Sequence, residues 1–397
     1  MQPPTTLSLS LTASLNCFNH HPLQVSPPKL TLPQKPSTMQ KTTWYLASIA
    51  LMCLFALSKA ASTPAMFIFG DSLIDDGNNN FLPTIARANY APYGIDFGAP
   101  TGRFCNGLTV VDYGARILGL PLVLPYLSPL SKTRNILKGA NYASAAAGIL
   151  DETGRHYGGR MTFNGQIALF EKTVRLQLPL LIPDAGARSL YLARSVFVIN
   201  IGSNDYINNY LLPGLYTTSR EYSGDTFADH LISTLSQQLM RLYRSGARKM
   251  VLVNIGPLGC IPSQLSTSNG NGACVERINE LVIKFNERFL SLYATLNSSL
   301  PGSFFVHQDI YQTFSDMIRN PANYGFRVTD RACCGSGRFG GDVTCLPLQP
   351  PCASREQYLF WDSFHPTQAA NAIIADRCYS PGAPDCKPIS ITELAQI

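Results

Sequence analysis

Charged residues are scarce in this chain: Asp, Glu, Lys and Arg make up 14% of its 397 residues, against 45% apolar residues. That balance excludes a disordered chain and supplies enough apolar side chain for a large core. No basic run is present, so the electrostatic footprint of a nucleic-acid binder is missing. The formal charge of +6 does not restore it, because four of the 31 basic residues and none of the 25 acidic ones lie in the first 60 positions. Beyond them, 27 basic residues face 25 acidic ones, a net of +2. No C-x-x-C occurs among the eleven cysteines, which disfavours zinc ribbons and thioredoxin-type redox sites. No H-E-x-x-H occurs either, and the histidines are too scattered to suggest a metal site. The glycine-rich stretch at residues 335–341 lacks the G-K-[ST] ending of a phosphate loop and reads as a disulfide-tied loop. The G-x-S-x-G elbow is also missing.

No apolar run reaches the ~20 residues of a membrane span. The longest candidate, residues 44–57, follows Met39-Gln40-Lys41 and precedes Ser58-Lys59-Ala60. A basic start, a short apolar stretch and a small-x-small site are the parts of a secretory signal. The expected organisation is therefore an upstream disordered extension at 1–38, a signal peptide at 39–60 cut after Ala60, and one domain at 61–397. A secreted, extracellular or cell-wall protein with no stable membrane span follows, and a monomer is expected. Nine cysteines remain after the leader, which in an oxidising compartment implies a disulfide framework. Cys260–Cys274 and Cys378–Cys386 are plausible local pairs, and Cys105 is the isolated thiol. Asn297-Ser298-Ser299 is the one sequon after the leader, expected as a glycosylated surface loop.

Short apolar strand candidates recur at 66–69, 141–146, 196–201, 250–255 and 304–307, with amphipathic helical patterns at 226–243, 275–296 and 369–375. Pro366 fits the first turn of the last helix, and Gly246 ends the first. No repeat, heptad run or linker divides the chain. Alternating strands and helices predict an α/β fold: a single three-layer α/β/α domain around a mostly parallel, five-stranded sheet. Long loops at 77–135 and 320–360 should surround its active face.

The first strand runs into Gly70-Asp71-Ser72, and Ser72 is the one serine in the chain with glycine two residues before it. A serine at a strand end faces the crevice where open α/β sheets bind ligands. As a nucleophile it needs a base. Of the four histidines after the leader, only His365 lies in a dense polar–aromatic cluster, residues 360–366, with Asp362 three positions upstream to orient it. His307 reads as a strand or core histidine, and His156 and His230 as surface residues. Oxyanion donors are available at two strand ends: the backbone at Gly148, where no Cβ hinders approach, and the Asn204 side chain. Taken singly, each has a bland reading: a loop histidine beside a capping aspartate, a turn glycine, an Asx turn.

Together the blocks resemble the plant GDSL-type esterase/lipases of the SGNH hydrolase superfamily. Gly70-Asp71-Ser72-Leu73 with its Asp-Gly-Asn-Asn-Asn continuation, Gly139 through Gly148, Gly202-Ser203-Asn204-Asp205 and Asp362-Ser363-Phe364-His365-Pro366 match that family in order. The resemblance implies a flavodoxin-like fold, with Ser72 as nucleophile, His365 as base and Asp362 as its orienting partner. It also implies an oxyanion hole from the Ser72 N–H, Gly148 (or Ala146, since the alanine run shifts the match) and Asn204. The implied activity is hydrolysis of carboxylic esters, of lipids, acylated small molecules or polysaccharides, through an acyl-enzyme. An acyltransferase building extracellular polyester with the same site, or a catalytically dead wall-associated binding protein, are the alternatives.

Overall fold

The structure, a computed structural model, describes residues 63–268 and 270–397. The expected extension and signal peptide, residues 1–60, lie outside the described residues.

Five parallel strands form the centre: β1 (Met66–Gly70), β2 (Gly139–Asn141), β3 (Val196–Asn200), β4 (Lys249–Val253) and β5 (Phe304–Gln308). Their spatial order is β2-β1-β3-β4-β5, the flavodoxin-like order. The short segment Cys386–Lys387 adds an antiparallel sixth strand beside β5, where the Cys378–Cys386 disulfide ties it to the last long helix. A two-residue edge strand carries too little pattern to be read from sequence.

Both faces of the sheet are buried, which is why its strands read as continuous apolar runs rather than alternating ones. Phe67, Phe69, Phe197, Ile199, Met250, Leu252 and Phe305 pack on one face, under helices Phe163–Lys172, Gly224–Arg244 and Glu276–Ser299. Met66, Ile68, Val196, Val198, Val251, Val253 and Val306 pack on the other, under Val110–Ile117, Ile310–Arg319 and Gln368–Tyr379. Each such side chain contributes roughly 1.5–3 kcal/mol by leaving water. The α/β/α layering expected from sequence is therefore present.

Three local readings change. The second strand was expected at 141–146 but stops at Asn141. Beyond it, side chains replace part of the ladder: Asn78 Nδ2 donates to the Asn141 and Ala143 carbonyls, and Asp75 and Asn79 accept the Ala145 N–H. Pro366 precedes the last long helix instead of entering it, because Thr367 is the N-cap and accepts the Ala370 N–H. Asn297 is not on a loop. It lies in the last turn of Glu276–Ser299, half-buried, donating to the Phe305 carbonyl and accepting the Phe305 N–H.

Cys260–Cys274 and Cys378–Cys386 are paired, and Cys333–Cys352 and Cys334–Cys345 cross-link the second long loop. Cys105 is free and buried, with its thiol on the Gly107 carbonyl. Among the described residues, no helix is long and apolar enough to cross a membrane, and no His/Cys/Asp/Glu group could hold a metal.

Candidate active site

The strand order reverses between β1 and β3, and the crevice beyond their C-terminal ends is where such sheets bind ligands. Ser72 follows β1 and Asn204 follows β3, so sequence-distant residues meet at that crevice. The end of β1 is fixed tightly. Gln166, fully buried, accepts the Gly70 N–H at 2.9 Å and donates to the Gly70 carbonyl at 2.8 Å. The Asp71 N–H donates to the Asn200 carbonyl on β3. Gly70 has to be glycine, because a Cβ there would lie 2.2 Å from that same carbonyl oxygen. The backbone that aims Ser72 is thereby held on both sides.

His365 and Asp362 reach the site from the turn after Tyr358–Phe360. His365 Nε2 lies 2.7 Å from Ser72 Oγ. His365 Nδ1 lies 2.8 and 2.9 Å from the two Asp362 oxygens. An ionised carboxylate only accepts, so the Nδ1 proton faces Asp362 and Nε2 is left to accept from Ser72. Asp362 also accepts the backbone N–H groups of Phe364 and His365, both at 2.9 Å, and the Tyr93 hydroxyl at 2.6 Å. Burial alone would raise its pKa. The adjacent His365 and the hydrogen bonds from His365, Tyr93 and Phe364 outweigh that and hold the carboxyl below its usual range. Phe104 packs its ring 5.1 Å from the imidazole, and Trp361 packs on Tyr93. Tyr93 and Phe104 come from the first long loop, and sequence reasoning gave them no role. The only signal for them was that their blocks, residues 92–97 and 101–104, also match the family named above.

The run after Ser72 is structural. Besides the backbone contacts of Asp75, Asn78 and Asn79 with residues 141–145, Asn79 accepts the Ser144 hydroxyl at 2.6 Å. These contacts set the turn that carries Ala146, a non-glycine residue at φ 66°. A left-handed alanine costs ~1–2 kcal/mol and persists only where its surroundings impose it. Ala146 lines the cleft with Ser72 and Asn204, whereas Gly148 lines no cleft that Ser72 lines. The Gly148 Cα faces Thr153 and Asp205 instead. Asp205, fully buried, accepts the Ile149 and Leu150 N–H groups and the Thr153 hydroxyl, pinning the loop's far side. The N–H groups of Ser72 and Ala146 have no hydrogen-bond partner among the described residues.

Asn204 is oriented without ambiguity. Its Nδ2 donates to the Ala147 carbonyl at 2.9 Å, and its Oδ1 accepts from Asn208 Nδ2 at 2.6 Å. One Nδ2 hydrogen remains for the cleft. Asn208 is a positioning residue that sequence reasoning missed.

Two clefts meet at Ser72, Asn204, Ile207, Phe364 and His365. One is apolar, walled by Leu258, Ile261, Ile310 and Phe314 from beyond β4 and β5. The other lies under the first long loop, between Arg87, Tyr90, Tyr157 and Thr344. Of the other histidines among the described residues, His307 is buried in β5, His156 is paired with the Tyr216 hydroxyl, and His230 stacks on Tyr222. None of these three approaches Ser72.

The sheet order 2-1-3-4-5 is that of a flavodoxin-like fold, and its switch crevice holds a hydroxyl, an imidazole and a carboxylate in hydrogen-bonded series. The comparison with known proteins narrows the class. The GDSL-like lipase/acylhydrolase family matches residues 66–378, and the chain belongs to that family. It is 62% identical over 336 residues to GDSL esterase/lipase 7 of Arabidopsis thaliana, covering 84% of this chain and 92% of that protein. It is 48% identical over 360 residues to the Arabidopsis thaliana GDSL esterase/lipase At1g29670, covering 90% of this chain and 99% of that one.

Proposed function

We propose that this chain is a secreted carboxylic ester hydrolase that works through an acyl-enzyme on Ser72. The observation that carries the mechanism is the 2.7 Å contact between Ser72 Oγ and His365 Nε2, with Asp362 behind the imidazole. His365 takes the Ser72 proton as Oγ attacks the ester carbonyl, and Asp362 stabilises the imidazolium that forms. The tetrahedral oxyanion sits against the Ser72 N–H, the Ala146 N–H and the free Asn204 Nδ2 hydrogen. Ala146 takes the backbone role expected of Gly148, because it lines the cleft with Ser72 and Gly148 does not. The C–O bond to the alcohol then breaks, and the imidazolium returns its proton to the leaving alkoxide. Water attacks the acyl-enzyme by the same route, giving the acid and free Ser72.

Secretion is supported by the leader pattern of residues 39–60 and by four disulfides in the domain that follows. Ser72→Ala, assayed on short p-nitrophenyl esters, tests the mechanism: activity should vanish while the fold is kept, and undiminished activity refutes it. A mature N-terminus well before Ala61 would refute the processing. A glycan on Asn297 is not part of the proposal, since its amide is engaged with Phe305.

A further inference from the structure

The second cleft at Ser72 carries an unused positive charge. Arg87 lines it, and among the described residues no carboxylate pairs with that guanidinium. Its one hydrogen bond is to the Leu82 carbonyl, and its Nε is buried without any partner. The other polar side chains there are largely committed. Tyr90 donates to the Cys345 carbonyl, Tyr157 to Asn208, and Tyr93 and His365 to Asp362, the one carboxylate that lines this cleft. A buried donor left unsatisfied costs free energy that a ligand group can recover. The opposite cleft offers no such cation: apart from Asp71 and His365 its walls are neutral, and most are aliphatic or aromatic. An ester held at Ser72 sends its acyl and alcohol portions to opposite sides, and an apolar chain gains most in the apolar cleft.

Resting on the ester-hydrolase reading, we propose that the Arg87 cleft is the alcohol-side subsite and that Arg87 selects esters whose alcohol bears an anionic group. Phosphate and carboxylate share the chemistry that a guanidinium fork recognises. A neutral alcohol leaves Arg87 as it is, and a cationic one is repelled.

The test uses the purified protein and butyrate esters differing only in the alcohol: glycerol, glycerol 3-phosphate, glycolate and choline. The kcat/KM for an anionic alcohol should exceed that for glycerol by about tenfold or more, the worth of one charge-assisted hydrogen bond. Choline should be the poorest. The ratio of glycerol 3-phosphate to glycerol ester should fall towards one in Arg87→Gln and stay above one in Arg87→Lys. The phosphate and glycolate arms show which anion is favoured. Equal rates on anionic and glycerol esters, a preference for choline, or a ratio unchanged in a folded Arg87→Gln would each overturn the proposal. A separate readout does not require turnover. Free glycerol 3-phosphate should slow fluorophosphonate labelling of the wild-type protein more than glycerol does, and this difference should disappear in Arg87→Gln. Protection without hydrolysis of any ester would count against the hydrolase reading and leave the subsite standing. Labelling without protection would count against the subsite alone.

Discussion

Asn204→Ala removes one of three proposed oxyanion donors and leaves the nucleophile and base untouched. The structure separates its two consequences. The Nδ2 bond to the Ala147 carbonyl is present in the resting protein, so its loss affects stability, at a net cost of about 1 kcal/mol. The other Nδ2 hydrogen has no partner in the resting protein and bonds fully only when charge develops on the substrate oxygen. Losing such a donor costs about 2.7–4 kcal/mol of transition-state stabilisation, a factor of roughly 10²–10³ in kcat. Because the interaction strengthens in the transition state, kcat should fall while KM changes little. Steady-state kinetics on p-nitrophenyl butyrate, alongside a thermal melt, measures both. Asn208→Leu should reproduce part of the loss, since it frees the Asn204 amide to rotate. A folded Asn204→Ala with kcat within about threefold of wild type would contradict the oxyanion assignment, the expected loss being roughly a hundredfold at least.

Asp362→Asn should keep the fold and lower kcat by about 10⁴, because an amide in place of the carboxylate leaves His365 in the wrong tautomer; activity within tenfold of wild type, measured on the same ester, would mean that Asp362 does not orient the base. Gly70→Ala should lower the melting temperature by several degrees, since its Cβ would meet the Asn200 carbonyl at 2.2 Å and overpacking costs about 1–3 kcal/mol; an unchanged melt would contradict that close approach. Burial pushes the Asp71 carboxyl up to about 7, with only the Leu73 N–H and His365 opposing it, and one of its oxygens has no partner. A raised carboxyl favours the folded state while protonated, so that contribution is complete below about pH 4 and is lost as pH rises through about 7. Asp205 and Asp75, raised to about 7 and about 6 by burial, act in the same direction, while Asp362 acts oppositely at lower pH. His307 and His156, held low by burial, act the other way as pH rises to about 6.5, so Asp71 is read from a difference: between about pH 5 and pH 7.5 the melting temperature of Asp71→Asn should fall less, or rise more, than that of the wild type, and parallel profiles would contradict it.

The layered α/β architecture was legible because strands buried on both faces leave uninterrupted apolar runs, and the long helices keep a 3.6-residue stripe. Strand β2 was misplaced for a specific reason. The pattern of residues 141–146 suits a strand, but Asp75, Asn78 and Asn79 capture its backbone groups, and no local propensity reports a side chain some 65 positions away. Ser72, Asp362 and His365 are brought together as sequence reasoning expected, because the short blocks that carry them point to one chemistry when read in order, although each alone has a bland reading. The proposed backbone oxyanion donor was not legible in the same way. Glycine was favoured for its missing Cβ, yet the cleft is lined by Ala146, which the clamp from residues 75–79 holds at positive φ. Tyr93 and Asn208 were missed because their roles are purely tertiary: each hydrogen-bonds a residue of the proposed site, Asp362 or Asn204, and neither has a motif chemistry of its own.

The central claim is that Ser72 is the nucleophile activated by His365. It is tested most directly by incubating the purified protein with a fluorophosphonate and locating the adduct by mass spectrometry. The account predicts a single stoichiometric adduct on Ser72, absent in Ser72→Ala and strongly slowed in His365→Ala. An adduct on another residue, or labelling that survives in Ser72→Ala, would contradict it.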